Sequence, residues 1–589
     1  MSDIAALIQI LRSKQVPVFV RGEVEYERSV ATANLLYRFA RPECVVQPRD
    51  SADVRLVVKE AKSRRLSITV KNGGHSYAGF STTDQDISLD LGRMNRVDLN
   101  MESKTVTLQG GAQWGNAYKE LVNGRYNGYV VNGGRCPTVG VSGFTLGGGL
   151  GPFTRSFGMG CDTLTEATIV TADAKEVTVK RSDDPKSNEG RLFWALCGAG
   201  GGNFGVVVQL KMDIRELKDP DGYVVAGVYT WSQKGVDPNE LLTTMNDFYT
   251  TDWPDELTID SSWVCEPNKD LAIRFLVYFN GKKDDFNDLI NKNIRQRTLA
   301  KQLKRRSMEE KSTRFFHETL IVQWSEETIK SFPKDPSYSL YCSFVFKNDR
   351  NRIEGITQII RDEMAAFKDL FDGEQCLLQV TWIHAGGEAS RKQRSASAFR
   401  WRDGVYHTYI WVRWQEKFLE QDMLGFFLKF RDRLRSYSMM GRAAFINFAD
   451  PTLQNNDHER AYFGNNRGEL QKIKKIWDKD NFFNWSQGVR LPQPKKGNTA
   501  SRSRPASSVR MKNMGIDLSV AAGIVEQDGA DREEGDEQLA ADEDFSEDEA
   551  MMDETMLADR LASAQWENYT PPTQTSFMGG IQGLQQLGF

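Results

Sequence analysis

The chain is poor in the residues that build metal centres and disulfide frameworks. Five histidines and seven cysteines are spread through 589 residues. The cysteines (Cys44, Cys136, Cys161, Cys197, Cys265, Cys342 and Cys376) are odd in number and lack paired spacing, which argues against a disulfide scaffold and against a zinc site. No apolar run reaches the roughly eighteen residues of a membrane-spanning helix, so no membrane partner is expected. The first residues, Met1 to Ile8, have no basic stretch ahead of an apolar core; Arg12 and Lys14 come after the apolar residues instead. We read no secretory signal there and expect an intracellular, cytoplasmic protein. A dinucleotide fingerprint is missing too. Gly198-Ala199-Gly200-Gly201-Gly202-Asn203 lacks the final glycine, and Gly147-Gly148-Gly149 lacks the spacing, so a Rossmann unit is not expected.

What the chain does have is length, a globular composition and an uneven charge. Its 589 residues exceed one ordinary core, so two or more domains are expected. Net charge is −4, yet Glu526 to Asp559 alone hold sixteen acidic residues and one basic one, leaving the rest net positive. No nucleic-acid partner is expected. From Pro494 onward Pro, Ser, Arg and Gly give way to this acidic run, which reads as a disordered tail with an unknown protein as its candidate partner.

Residues 41–90 read as strand, helix, strand. Cys44-Val45-Val46 is a short β run, Asp53 to Arg64 has helical spacing with Val54, Leu56, Val57 and Ala61 on one side, and Leu66 to Val70 alternates. Ala167 to Thr171 and Glu176 to Val179 look like a hairpin. From Gly222 to Ala444 alternating runs recur at Leu271–Tyr278, Leu340–Lys347, Cys376–His384 and Tyr406–Trp414, which suits an antiparallel sheet with helices on one face.

Two glycine-flanked nucleophiles carry the chemistry. One lies in Lys71-Asn72-Gly73-Gly74-His75-Ser76-Tyr77-Ala78-Gly79 and the other in Gly133-Gly134-Arg135-Cys136-Pro137-Thr138-Val139-Gly140-Val141-Ser142-Gly143. Glycine lets backbone amides approach an anion closely. Two such loops suit a large phosphate-bearing cofactor held by backbone and bonded covalently.

That pairing resembles the FAD-linked oxidases of the vanillyl-alcohol oxidase superfamily, with its PCMH-type FAD domain, and within it the berberine bridge enzyme-like branch. Further blocks in the same order carry the resemblance: Arg41 to Pro48, Leu192 to Val207, Ala461-Tyr462-Phe463-Gly464-Asn465-Asn466 and Trp485-Ser486-Gln487. The resemblance implies an α+β fold: a lead-in over 1–37, a two-subdomain FAD-binding domain over 38–217, a substrate domain over 218–444, a segment over 445–493 that completes the FAD domain, and the tail over 494–589. It implies bicovalent FAD, bonded through His75 and Cys136. The diphosphate is expected on amides from Asn72, Gly73, Gly74, His75 and Ser76 and from Ser142 and Gly143, with Gly147, Val207 and Asn465 also against the cofactor. Valine at position 139 goes, in the family, with oxygen access to the flavin, which implies O2 as acceptor and hydrogen peroxide as product.

The catalytic base departs from the pattern. Many relatives use the last tyrosine of a Tyr-x-Asn-Tyr segment; here that segment reads Phe445-Ile446-Asn447-Phe448, and Phe448 cannot ionise. Tyr77 is the leading replacement by position, with Tyr462 and Tyr409 next and an Asp or Glu from the substrate domain left open. Phe144 also stands where plant relatives have a histidine. Phe445, Phe448, Trp382, Trp411 and Tyr77 are expected to form an aromatic pocket, favouring an apolar or polycyclic small-molecule substrate over a free sugar. Two alternatives stay open: an FAD dehydrogenase or oxidative cyclase with another acceptor, and a flavin-binding scaffold whose tail binds a partner.

Overall fold

A computed structural model describes residues 2–32, 34–232, 236–324, 336–453 and 457–493. The acidic tail expected over 494–589 lies outside the described residues, as does its partner-binding role. No described helix is long and apolar enough to cross a membrane.

The N-terminal half holds two sheets. The first has four strands in the order Val18–Phe19, Cys44–Val46, Ile87–Asp90 and Ile68–Lys71. The last three run parallel, which the intervening helix Ser51–Ser63 permits as a crossover. Asp50 caps that helix by accepting from the Asp53 amide at 2.9 Å. Its buried face is Val54, Val57, Val58 and Ala61; Leu56, expected there, is only half-buried.

The second sheet is organised by the long strand Gly205–Glu216. One edge of this strand pairs with Thr105–Gln109 over its middle and Tyr129–Val131 near its end, and the other edge pairs with Leu164–Thr171. The hairpin Leu164–Thr171 with Glu176–Lys180 forms where alternation placed it.

The third sheet has seven antiparallel strands: Ser307–Lys311, Tyr223–Ser232, Ala272–Phe279, Leu257–Cys265, Cys376–His384, Tyr406–Trp414 and Tyr338–Phe346, in that order. Strand period two divides its residues between two faces. The helices Pro238–Thr250, Arg350–Leu370 and Glu420–Arg435 pack with it and with one another. Residues beyond Ala444 return to the N-terminal half: the Asn447 amide donates to the Phe144 carbonyl at 2.9 Å, and Lys474 donates to the Asn203 carbonyl at 2.6 Å.

Candidate active site

The two nucleophile loops meet at one cleft. The strand Ile68–Lys71 delivers Asn72 to Tyr77, and Tyr129–Val131 delivers the loop that ends in the short helix Val141–Leu146. The second loop is strapped to the helix Trp114–Asn123: the Gly115 amide donates to the Pro137 carbonyl at 2.7 Å and the Trp114 amide to the Val139 carbonyl at 3.1 Å. The loops then touch backbone to backbone. A Cβ on Gly73 would lie 2.7 Å from both the Gly140 nitrogen and the Thr138 carbonyl, and one on Gly140 would lie 2.4 Å from the Asn72 side chain. Only glycine permits that approach. Asn72 stitches the joint, its Nδ2 donating to the Gly110 carbonyl at 2.6 Å and to Ser142 Oγ at 3.0 Å.

The result brings His75 and Cys136 to one point. Thr138 Oγ1 shares a hydrogen bond with His75 Nε2 at 2.9 Å and another with Cys136 Sγ at 3.3 Å. Both nucleophiles line a cleft with about 1820 Å³ of space between protein atoms, its open mouth included. Asn72, Gly73, Gly74, Ser76, Tyr77, Val139, Ser142, Gly143 and Val207 line it too.

Three residues expected at the site lie elsewhere. Tyr462 is buried off the cleft: its hydroxyl donates to Gln487 Oε1 at 2.6 Å and accepts from the Asp450 amide at 3.1 Å, and burial pushes its phenol well up. It is a structural tie, not a base. Asn465 faces a separate basic surface hollow with Arg394 and Arg400. Gly147 ends the short helix and is covered by Asn447, whose Oδ1 would sit 1.9 Å from any Cβ there.

Above the nucleophiles, the third sheet presents a stack of rings. Tyr77 lies flat on Tyr341, with centroids 4.1 Å apart and planes 5° apart. Tyr341 stacks in turn on Trp411 at 5.8 Å, and Tyr409 tilts over Phe448 at 4.8 Å. Phe445 and Phe448 line the cleft as expected from the sequence pattern. Trp382 does not. It pairs with Thr408, so it shares the opposite sheet face and stacks on Tyr249 at 4.1 Å; its neighbour Ile383 lines the cleft instead.

Sequence reasoning missed Tyr341 and the pair Phe80–Trp485, whose rings stand 5.0 Å apart and line the far end. Trp485 opens the Trp485-Ser486-Gln487 block. Its indole donates to Asn203 Oδ1 at 3.1 Å, and Asn203 Nδ2 holds the Ala199 carbonyl at 2.8 Å, so the terminal segment steadies the glycine loop Gly200–Gly202 that forms another wall.

Electrostatically the cleft is nearly bare. Among the described residues lining it there is no aspartate, glutamate or lysine, and their one arginine, Arg135, is bound to Asp260. The remaining ionisable groups are His75, Cys136, Tyr77 and Tyr409. Those residues supply no carboxylate base; Glu326, Glu327 and Asp335, which follow the lining residue Trp324, lie outside the described residues. Two buried polar atoms on the wall, Asn72 Oδ1 and Ser81 Oγ, have no hydrogen-bond partner among the described residues, and a Cβ on Gly143 would meet nothing within 4 Å. Bare backbone, unanswered polar atoms, paired nucleophiles and ring-lined ends fit FAD, a long cofactor with an anionic middle and a flat reactive ring.

Comparison with known proteins bears on the same residues. Residues 42–180 match the FAD binding domain family and residues 444–490 the berberine and berberine-like family. The chain is 26% identical over 486 residues to an uncharacterised FAD-linked oxidoreductase, YgaK, of Bacillus subtilis, covering 80% of this chain and 96% of that one. It is 25% identical over 479 residues to berberine bridge enzyme-like 16 of Arabidopsis thaliana, covering 76% and 84%. In fold it is similar to the berberine bridge enzyme of Eschscholzia californica, with a TM-score of 0.69 at 18% identity over 84% of this chain and 100% of that one. It is also similar to a chitooligosaccharide oxidase, with a TM-score of 0.65 at 21% identity over 83% and 100%.

Proposed function

The chain is an FAD-linked oxidoreductase of the berberine bridge enzyme-like family, and from that premise we propose that it is an oxidase of neutral aromatic or polycyclic alcohols. In this reading His75 and Cys136 hold FAD covalently and O2 takes the electrons as hydrogen peroxide. When bound, FAD supplies the hydride acceptor. Everything else falls to the chain. Asn72, Ser76 and Ser142 and the bare amides between them hold the cofactor's polar middle. The rings of Tyr77, Tyr409 and Phe448 align a flat substrate and exclude water, with Tyr341 stacked behind Tyr77. A tyrosine in its phenolate form takes the substrate hydroxyl proton at its Oη and becomes the neutral phenol, and Tyr409 and Tyr77 are the tyrosines on the cleft wall. The acceptor assignment rests on Val139, which lines the cleft three residues beyond Cys136.

One observation carries the reading: both nucleophiles reach the same threonine oxygen beneath a roof with no charged side chain of its own on the cleft. Among the described residues that roof offers an anionic or cationic substrate no counter-charge, which supports a neutral one. Acid precipitation of the yellow protein tests the attachment, with mass spectrometry of the His75 and Cys136 peptides. A peroxide-coupled screen of phenolic and polycyclic alcohols tests the reaction. Colour that passes wholly into the supernatant overturns the attachment, and reduced protein that air does not reoxidise overturns the oxidase.

A further inference from the structure

We propose that the buried Arg135–Asp260 ion pair is a latch between the two halves of the cleft that sets Cys136 for its bond to the cofactor. The second covalent bond then forms only once the seven-stranded sheet is seated over the glycine loops. The inference rests on the bicovalent reading above.

Arg135 directly precedes Cys136. Its backbone neighbourhood is pinned from the floor, where the Tyr118 hydroxyl donates to the Gly134 carbonyl at 2.5 Å and a Cβ on Gly133 would strike the Trp114 ring at 2.2 Å. Its side chain is pinned from the roof. Nε and Nη2 grip the two carboxylate oxygens of Asp260, the second at 2.9 Å, while Nη1 donates to the Leu150 carbonyl at 2.6 Å. Asp260 stands on the roof strand Leu257–Cys265 and also accepts from the His384 amide, on the neighbouring strand, at 2.9 Å. The two side chains are 5% and 2% exposed.

Burial raises the Asp260 carboxyl against the pull of Arg135. Such a pair gains little over apolar side chains of similar volume, so stability is a poor account of its presence one residue from the nucleophile. Position is the better one: a bidentate fork fixes orientation as well as distance. Arg402 with Asp162 also joins the halves, but Arg402 reaches Asp162 and Ser397, not the Cys136 loop. Net, the Cys136 S–H and one flavin ring C–H are exchanged for an S–C bond, and two electrons and two protons leave to O2 as hydrogen peroxide.

The test is the flavin load of two peptides from the purified full chain, read by mass after denaturation and digestion. In Asp260→Asn the rate of Cys136 loading is expected to fall about a hundredfold, the cost of a displacement of about 1 Å, with His75 loading unchanged. Arg135→Lys keeps the charge, loses the fork and serves if Asp260→Asn does not fold; the Cys136 fraction falls there too, with the His75 fraction unchanged. Equal loss at both peptides, or an undiminished Cys136 fraction in Arg135→Lys, overturns the latch. A His75 adduct without any Cys136 adduct in the unaltered chain overturns the bicovalent reading itself, which separates the two failures.

Discussion

The floor of the cleft works with backbone and the roof with ring faces. On the floor, Gly73 and Gly140 let two loops touch and Asn72 sews them together, so each position has one acceptable residue. On the roof, Tyr341, Tyr409 and Trp411 share a sheet face by alternation and interlock with Tyr77 and Phe448 from the floor's own segments. A ring wall tolerates exchange of one ring for another, because offset stacking and burial ask for area more than for a particular atom. The difference separates what holds a cofactor, which is geometrically strict, from what selects a substrate, which is open to change.

The sharpest way to break that comparison is to ask whether the roof is only a wall. If a phenol is the base, Tyr409→Phe combined with Tyr77→Phe lowers the rate of flavin reduction by about 10²–10⁴-fold with flavin content unchanged; rapid-mixing absorbance reads it, and an unaltered rate would reduce both tyrosines to packing. Next is the strictness of the floor. Gly140→Val drives a side chain into Asn72 and should cost about 1–3 kcal/mol of stability, seen as a lower melting temperature and poor flavin retention, whereas Phe448→Leu should keep its flavin.

Acid should distinguish the halves in another way. Burial lowers the imidazoles of His407 to about 3 and His458 to about 4, and His384 well below its ordinary value. These groups are neutral when folded and take up protons when unfolded below about pH 6.5. Stability is therefore full above that pH and falls as pH drops toward 4, by on the order of 1.4 kcal/mol per unit for each imidazole. His384 and His407 both sit on the roof sheet, so hydrogen exchange at pH 5 should loosen its strands before those of the floor. The smallest effect on activity belongs to Tyr462→Phe: kcat unchanged, with about 1–3 kcal/mol of stability lost because two buried hydrogen bonds go and Gln487 Oε1 and the Asp450 amide are left unanswered.

Legibility follows the same division. The loops around His75 and Cys136 stand out in the sequence because close backbone approach demands glycine at fixed places. The strands Cys376–His384 and Tyr406–Trp414 are bounded where alternation puts them. Alternation also says that Trp382 and Tyr409 cannot share a face once their strands pair in this register, but the register is a tertiary fact. Hence Trp382 is misassigned and Tyr341 overlooked. Tyr462 and Asn465 belong to a recognisable block whose work is to join segments: Tyr462 binds Gln487, and the block's next asparagine, Asn466, holds the carbonyls of Ser397 and Ala398.

The return of the terminal segment to the floor has a consequence for biogenesis. Asn447 seals the first glycine helix and Trp485 braces the second glycine loop, so a nascent polypeptide halted before these residues leave the ribosome has every attachment residue but an unfinished receptacle. On the proposed reading flavin capture then waits for the terminal segment, and a truncation at residue 445 should emerge colourless although His75 and Cys136 are intact.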